Sequence, residues 1–182
     1  YRQANACVTR RLARAAAASG AERFVFLSSV KVNGEETYGT PFREQDAPAP
    51  EDAYGRSKRD AEDALREIAA TTSMAVTTLR VPLVYGAGVS ANFGRLLRVC
   101  DTVLPLPLDG IRENRRSLLY LGNLTHALET ILKANPNPAG TYFLSDGEDL
   151  STATLICHLR HSLNRRAPRV PISPSNLRAA AA

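Results

Sequence analysis

At 182 residues, 44% of them hydrophobic and 23% charged, the chain is long enough for one sizeable core and has a globular composition, which excludes disordered and fibrous classes. The net charge of +5 comes from arginines spread along the chain with few aromatics among them, so a nucleic-acid partner is not expected and the charge reads as solubility and anion attraction. No apolar run approaches the roughly 20 residues that cross a bilayer, and Tyr1-Arg2-Gln3-Ala4-Asn5 lacks the order of a signal peptide, so a cytoplasmic protein with no membrane partner is expected.

Residues 3 to 18 are rich in Ala, Leu and Arg at helical spacing, and Gly20 stands where a helix would end. The run Arg23-Phe24-Val25-Phe26-Leu27-Ser28 predicts a strand buried on both faces of a parallel sheet. A loop with Gly34, Gly39, Pro41, Pro48 and Pro50 follows, then an amphipathic helix from about Glu51 to Ala70 and a strand from Ala75 to Val81. Beyond it the pattern predicts a helix at 91 to 101, a strand near Leu118 to Leu121 and a helix from about Asn123 to Ala134. A strand at Thr141 to Leu144 follows, and Ser151 is the N-cap expected for a helix to about Leu163.

Strands alternating with helices imply a parallel α/β fold. Both ends read as cut within helices, and no Gly-rich phosphate loop of the G-x-G-x-x-G type occurs. Either the chain is a fragment or its function does not use that loop. Cys7, Cys100 and Cys157 are odd in number and far apart, which fits reduced thiols. His126, His158 and His161 have no carboxylate or cysteine at ligand spacing, so no metal site is expected, and the absence of a G-x-S-x-G elbow disfavours Ser-His-Asp hydrolysis.

Tyr54-Gly55-Arg56-Ser57-Lys58 places a phenol and an ammonium one turn apart on one helix face. A lysine cation beside a tyrosine favours the phenolate and so makes a usable proton acceptor, although such a pair also arises on many helices as structure alone. Ser28 and Ser29 end the first strand, at the edge where open α/β sheets bind ligands; a loop-starting serine satisfying its own backbone is the alternative. The stretch Leu79 to Gly88 is another strand running into a Pro- and Gly-rich turn at that same edge.

The segments RFVFLSSVKVNG at 23 to 34, YGRSK at 54 to 58, RVPLVYGAG at 80 to 88 and PLPLDGIRENRRSLLYLGNL at 105 to 124 together resemble the extended short-chain dehydrogenases. These are the NAD-dependent epimerases and dehydratases of nucleotide sugars, and the resemblance covers nearly the whole chain. It implies a Rossmann-like parallel sheet lacking its first Gly-rich strand-helix unit, plus part of a small C-terminal substrate-binding region. Residues 1–90 would be the second half of the dinucleotide-binding domain, with the catalytic residues. Residues 91–182 would be the substrate-binding region interleaved with the last sheet elements.

The resemblance also assigns roles. Tyr54 is the expected acid/base, Lys58 its tuning lysine and the holder of the nicotinamide ribose, and Ser29 the hydrogen-bond partner of the reacting oxygen. Asn5, Ser28, Tyr54, Lys58 and Pro82 are expected at the cofactor, which is NAD, with NADP the alternative. Asn92, Phe93, Leu106 within the segment Leu104 to Leu108, and Arg116 are expected at a UDP-sugar. Arg116 suits a diphosphate because its fork meets two oxygens at once, with Arg115 the substitute and a solvated surface pair the plain alternative.

Where many relatives have Val-Tyr-Gly after the serines, this chain has Val32-Asn33-Gly34. The implied activity is hydride transfer at C4 of a UDP-hexose, as in UDP-glucose 4-epimerases, or 4-reduction of a UDP-4-keto-6-deoxy-N-acetylhexosamine in surface-polysaccharide synthesis. Dehydratases usually add an acidic pair beside the serine, and Val30-Lys31 offers none. A non-catalytic dinucleotide-binding scaffold is the reading from another class. A homodimer is the assembly the resemblance implies.

Overall fold

The structure is a computed structural model describing residues 1, 3–89, 91–102, 106, 108 and 111–165, with the side chains of residues 91 and 92 outside the description. A π-helical turn, Gln3–Cys7, leads into α1 (Val8–Ala18), then β1 (Arg23–Ser29), a 3-10 turn (Val30–Val32) and α2 (Ala53–Thr71). Next come β2 (Ala75–Val81), β3 (Leu83–Tyr85), α3 (Ala91–Cys100), β4 (Leu118–Tyr120), α4 (Leu121–Lys133), β5 (Gly140–Phe143) and α5 (Thr152–Ser162). The strands expected from sequence are present, and β3, too short to read from a pattern, is added.

Two compact units divide these elements: Tyr1–Pro82 with Gly122–Ser145, and Leu83–Leu121 with the chain from Asp146 onward. This partition is drawn differently from the cut read at residue 90. The cause is pairing: β2 runs parallel to β1 on one side and to β5 on the other, which returns residues 140–143 to the first unit. In the second unit β3 pairs in parallel with β4. All three pairings are parallel, as the alternation of strands and helices requires.

Central position in the three-stranded sheet explains the burial of β2, whose residues from Val76 to Arg80 are all buried. Among the described residues β1 pairs with β2, and its burial is partial: Phe26, Ser28 and Ser29 are buried while Leu27 is 38% exposed. Behind the sheet, α1 and α2 meet through small side chains. Ala13, Ala61 and Leu65 are wholly buried with Phe26, Ile68, Met74 and Val76 in one cluster. Alanines at the contact let the helix backbones approach closely while each adds apolar area to the core.

The start of α2 is fixed by local chemistry. Asp52 has extended backbone angles and its carboxylate accepts from the Gly55 amide at 2.6 Å, which satisfies one of the helix's unpaired donors. Gly55 itself lies against the 3-10 turn: a Cβ there would sit 2.5 Å from the Lys31 carbonyl oxygen. Ser151 caps α5 as expected, accepting from the Thr154 amide at 3.1 Å.

One polar network crosses the core. Arg80, on β2, donates to Glu62 of α2 through Nε at 3.1 Å and Nη2 at 2.6 Å, and through Nη1 to Asn33 Oδ1 at 2.8 Å. Both partners of this ion pair have side chains only 3% exposed. Removing one member strands a buried charge, so Glu62→Ala should destabilise the fold by about 3–5 kcal/mol in urea unfolding. The double replacement Glu62→Leu with Arg80→Met should cost much less.

Candidate active site

Three elements of the first unit meet at one sheet edge. β1 ends at Ser28 and Ser29, β2 ends opposite with Ser28 facing Arg80 and Ser29 facing Val81 in register, and Pro82 follows directly. α2 brings Tyr54 in its first turn and Lys58 one turn later. The parallel register therefore places the strand ends, and the helix cap places the phenol.

Both Tyr54 and Lys58 are half-buried. The Lys58 ammonium donates to the Leu27 carbonyl at 2.9 Å and lies 5.7 Å from the centre of the Tyr54 ring and 4.9 Å from that of Phe26. The Ser29 hydroxyl accepts from the Lys31 amide at 3.2 Å and is near enough to the Tyr54 phenol to favour its ionised form. Ser29, Tyr54 and Lys58 are thus brought together as the sequence suggested.

The electrostatics differ from the sequence expectation of a phenol made acidic by Lys58. Burial first, then the Asp52 carboxylate, push the Tyr54 phenol above its ordinary range, while Lys31 and the Ser29 hydrogen bond pull it down. Burial likewise pushes the Lys58 amine below its usual value, opposed by Glu62. The ammonium of Lys58 is committed to the Leu27 carbonyl, and the cation that acts on the phenol is Lys31.

The remaining expected residues fall as follows. Asn5 sits in the π-helical turn and its amide donates to Ser57 Oγ at 3.0 Å, which in turn donates to the Tyr54 carbonyl at 2.7 Å. This chain fastens the N-terminal turn to the turn carrying the phenol. Ser28, expected at the cofactor, directs its hydroxyl to Glu62 and is 2% exposed, so that hydroxyl serves the interior. Asn33, the departure from Val-Tyr-Gly, is an acceptor for buried Arg80.

In the second unit, Phe93 is buried and stacks on Tyr85 with ring centres 5.6 Å apart. Leu106 packs with Cys100 and Ile156. Arg116 is exposed, pairs in antiparallel fashion with Leu150 and donates through Nε to the Thr152 hydroxyl at 3.1 Å. The Asn92 side chain and residues 104, 105 and 107 of the expected Leu104 to Leu108 segment lie outside the described residues.

Sequence reasoning missed four polar participants: Lys31, Asp52, Glu62 and Arg80. A signal existed for two of them, because an arginine inside a buried strand such as β2 needs a buried partner, and Glu62 lies one turn beyond Lys58 on the same face. Among the described residues, no group of three His, Cys, Asp or Glu side chains could hold a metal, and no helix is long and apolar enough to cross a membrane.

A serine, a tyrosine and a lysine at the carboxyl edge of a parallel sheet define an α/β protein of the short-chain dehydrogenase type. Residues 1–143 match the NAD dependent epimerase/dehydratase family, and the chain belongs to that family. It is 43% identical over 174 residues to a UDP-glucose 4-epimerase of Vibrio cholerae, covering 94% of this chain and 53% of the relative. It is 30% identical to a dTDP-4-dehydro-6-deoxyglucose reductase of Escherichia coli, covering 90% and 52%. The crystal structure of a Bacillus cereus UDP-N-acetylglucosamine 4-epimerase superposes with a TM-score of 0.81 at 20% identity, over 94% of this chain and 59% of that one. The chain spans about half the length of the curated relatives it matches.

The opposed environments of the lysines are directly measurable. After reductive methylation with labelled carbon, NMR titration should show the Lys58 amine losing its proton below the ordinary lysine value of 10.5, and Lys31, held by two carboxylates, above it.

Proposed function

We propose that the protein is a nucleotide-sugar enzyme of the UDP-glucose 4-epimerase type, working with NAD at C4 of a UDP-hexose. The observation that carries this reading is the meeting of Ser29, Tyr54 and Lys58 at the β1 edge. Its setting in a chain 43% identical to a UDP-glucose 4-epimerase supports the substrate class. The whole protein is proposed to act as a homodimer in the cytoplasm, with NADP as the alternative cofactor.

The donors present fit the nicotinamide end of a dinucleotide. The half-buried Lys58 ammonium and the Tyr54 phenol have the chemistry to hold ribose hydroxyls, while Asn5 and Pro82 flank that edge. Bound nicotinamide supplies the hydride chemistry at C4. Tyr54 moves the proton on the C4 oxygen, accepting it as the alcohol becomes a ketone and returning it on reduction. Ser29 donates a hydrogen bond to that oxygen and holds it toward the phenol. Arg116 is the guanidinium proposed for the diphosphate, and Asn92, Phe93 and Leu106 the contacts for the rest of the nucleotide sugar.

A phenol pushed upward by burial is protonated at neutral pH, which suits the reducing half of the cycle. Oxidation needs the same phenol as a base, a form that burial disfavours and Lys31 favours. A 4-ketoreductase would use the same residues in one direction only; the 30% identical reductase relative favours keeping this second reading.

Tyr54→Phe in the full-length protein should lower turnover of its nucleotide sugar by at least about a thousandfold while dinucleotide affinity, short of one ribose contact, falls by no more than about tenfold. Retained turnover would remove the mechanism. A panel of UDP-sugars separates the readings: an epimerase interconverts sugars with no net cofactor use, whereas a reductase consumes reduced cofactor in proportion. An intact dinucleotide site with no turnover of any sugar in the panel would favour the scaffold.

A further inference from the structure

Lys31, which lies between Ser29 and Tyr54 in the sequence, takes no direct part in the proton transfer. The Lys31 ammonium is 2.8 Å from Asp52 Oδ2 and 2.8 Å from Glu35 Oε1. Lys31 also engages both flanking elements through its main chain. Its amide donates to Ser29 Oγ at 3.2 Å, and its carbonyl lies where a Cβ on Gly55 would come within 2.5 Å. Asp52 reaches the same helix turn: it accepts from the Gly55 amide three residues on and stands directly before Ala53-Tyr54.

As a source of stability this arrangement is weak. The Lys31 and Asp52 side chains are 37% and 40% exposed, and pairs of that kind contribute about 0–1 kcal/mol before salt screening. Its position is what sets it apart. Lys31, two residues beyond Ser29, is ionically tied to the cap of the helix that carries Tyr54, so the tie joins the two elements that bear the serine and the phenol.

We propose that Lys31 and Asp52 form a charge-paired clasp that positions the Ser29 hydroxyl against the Tyr54 phenol and balances the charge the phenol meets. Lys31 is then a positioning residue, and its catalytic meaning rests on the reaction proposed above. The groups facing the phenol are Asp52 from the cap of α2, Lys58 from one turn along it, Lys31 from the 3-10 turn, with Glu35 as its second partner, and Tyr1, whose ring stands edge-on at 5.7 Å. Asp52 disfavours the phenolate and Lys31 favours it. Without Lys31 the phenol would face an uncompensated carboxylate.

The test follows the phenol itself and needs no substrate. Full-length protein is labelled with meta-fluorotyrosine, which brings phenol titration into a milder pH range, and the Tyr54 signal is identified by its loss in Tyr54→Phe. Asp52→Asn keeps an acceptor for the helix cap and removes the charge. It should lower the Tyr54 midpoint by about half a pH unit, Lys31→Met should raise it by a similar amount, and the double variant should return to within about 0.2 of the parent. Lys31→Arg should restore most of the parent midpoint.

Midpoints that stay within about 0.1 of the parent, or that move in one direction in both single variants, overturn the clasp. In turnover, Lys31→Met should lower kcat about 3- to 10-fold with KM unchanged, and Lys31→Arg should recover most of it. Opposite midpoint shifts in a protein that turns over no nucleotide sugar would uphold the clasp and remove the reaction. Unmoved midpoints in an active enzyme would remove the clasp alone.

Discussion

The fork between Arg80 and Glu62 is the constraint on which the rest of the first unit depends. Two charges with side chains 3% exposed lose most of their hydration, and only good geometry offsets that loss. Here the guanidinium meets both carboxylate oxygens and adds Asn33, while Ser28 donates to the same carboxylate. Every strand end and helix at the site contributes a member: Ser28 from β1, Arg80 from β2, Glu62 from α2 and Asn33 from the loop. The fork thereby fixes the rotation of α2 about its axis. Tyr54, Lys58 and Glu62 fall at successive four-residue steps, so fixing Glu62 inward aims the two earlier side chains along the same stripe toward the sheet edge.

Along that stripe polarity is graded. Glu62 is fully enclosed, Lys58 and Tyr54 are half-buried, and Asp52 before them is partly exposed beside Lys31. Burial disfavours the charged forms of both Lys58 and Tyr54, whereas the outermost pair, Lys31 and Asp52, is held ionised by its partners. Burial and Asp52 keep the proton on the phenol in the middle of this gradient, while Lys31 opposes them. That balance is what an acid/base shuttling one proton in both directions needs.

Much of this was legible in the sequence because parallel α/β folds write their strands as apolar runs and their ligand edge at strand ends. β2 was read at its observed bounds, Ala75–Val81, and the Ser151 cap of α5 was read from one residue. The Ser29, Tyr54 and Lys58 grouping was legible because two of its members lie one helical turn apart. What escaped was long-range pairing. Nothing local to Lys31 announces a carboxylate 21 positions away, and the direction of the Tyr54 shift depends on how deeply α2 settles against β1. The apolar run of β1 predicts burial on both faces, but a pattern does not say which elements cover a face, and Leu27 is 38% exposed.

The most direct measurement is a crystal structure of the full-length protein with a nicotinamide dinucleotide and a UDP-hexose bound. The C4 oxygen of the hexose should lie within about 3 Å of both the Tyr54 phenol and the Ser29 hydroxyl, with the Lys58 ammonium on the nicotinamide ribose. A hexose whose C4 oxygen reaches neither hydroxyl, with the sugar ring turned to another face of the protein, would contradict the mechanism.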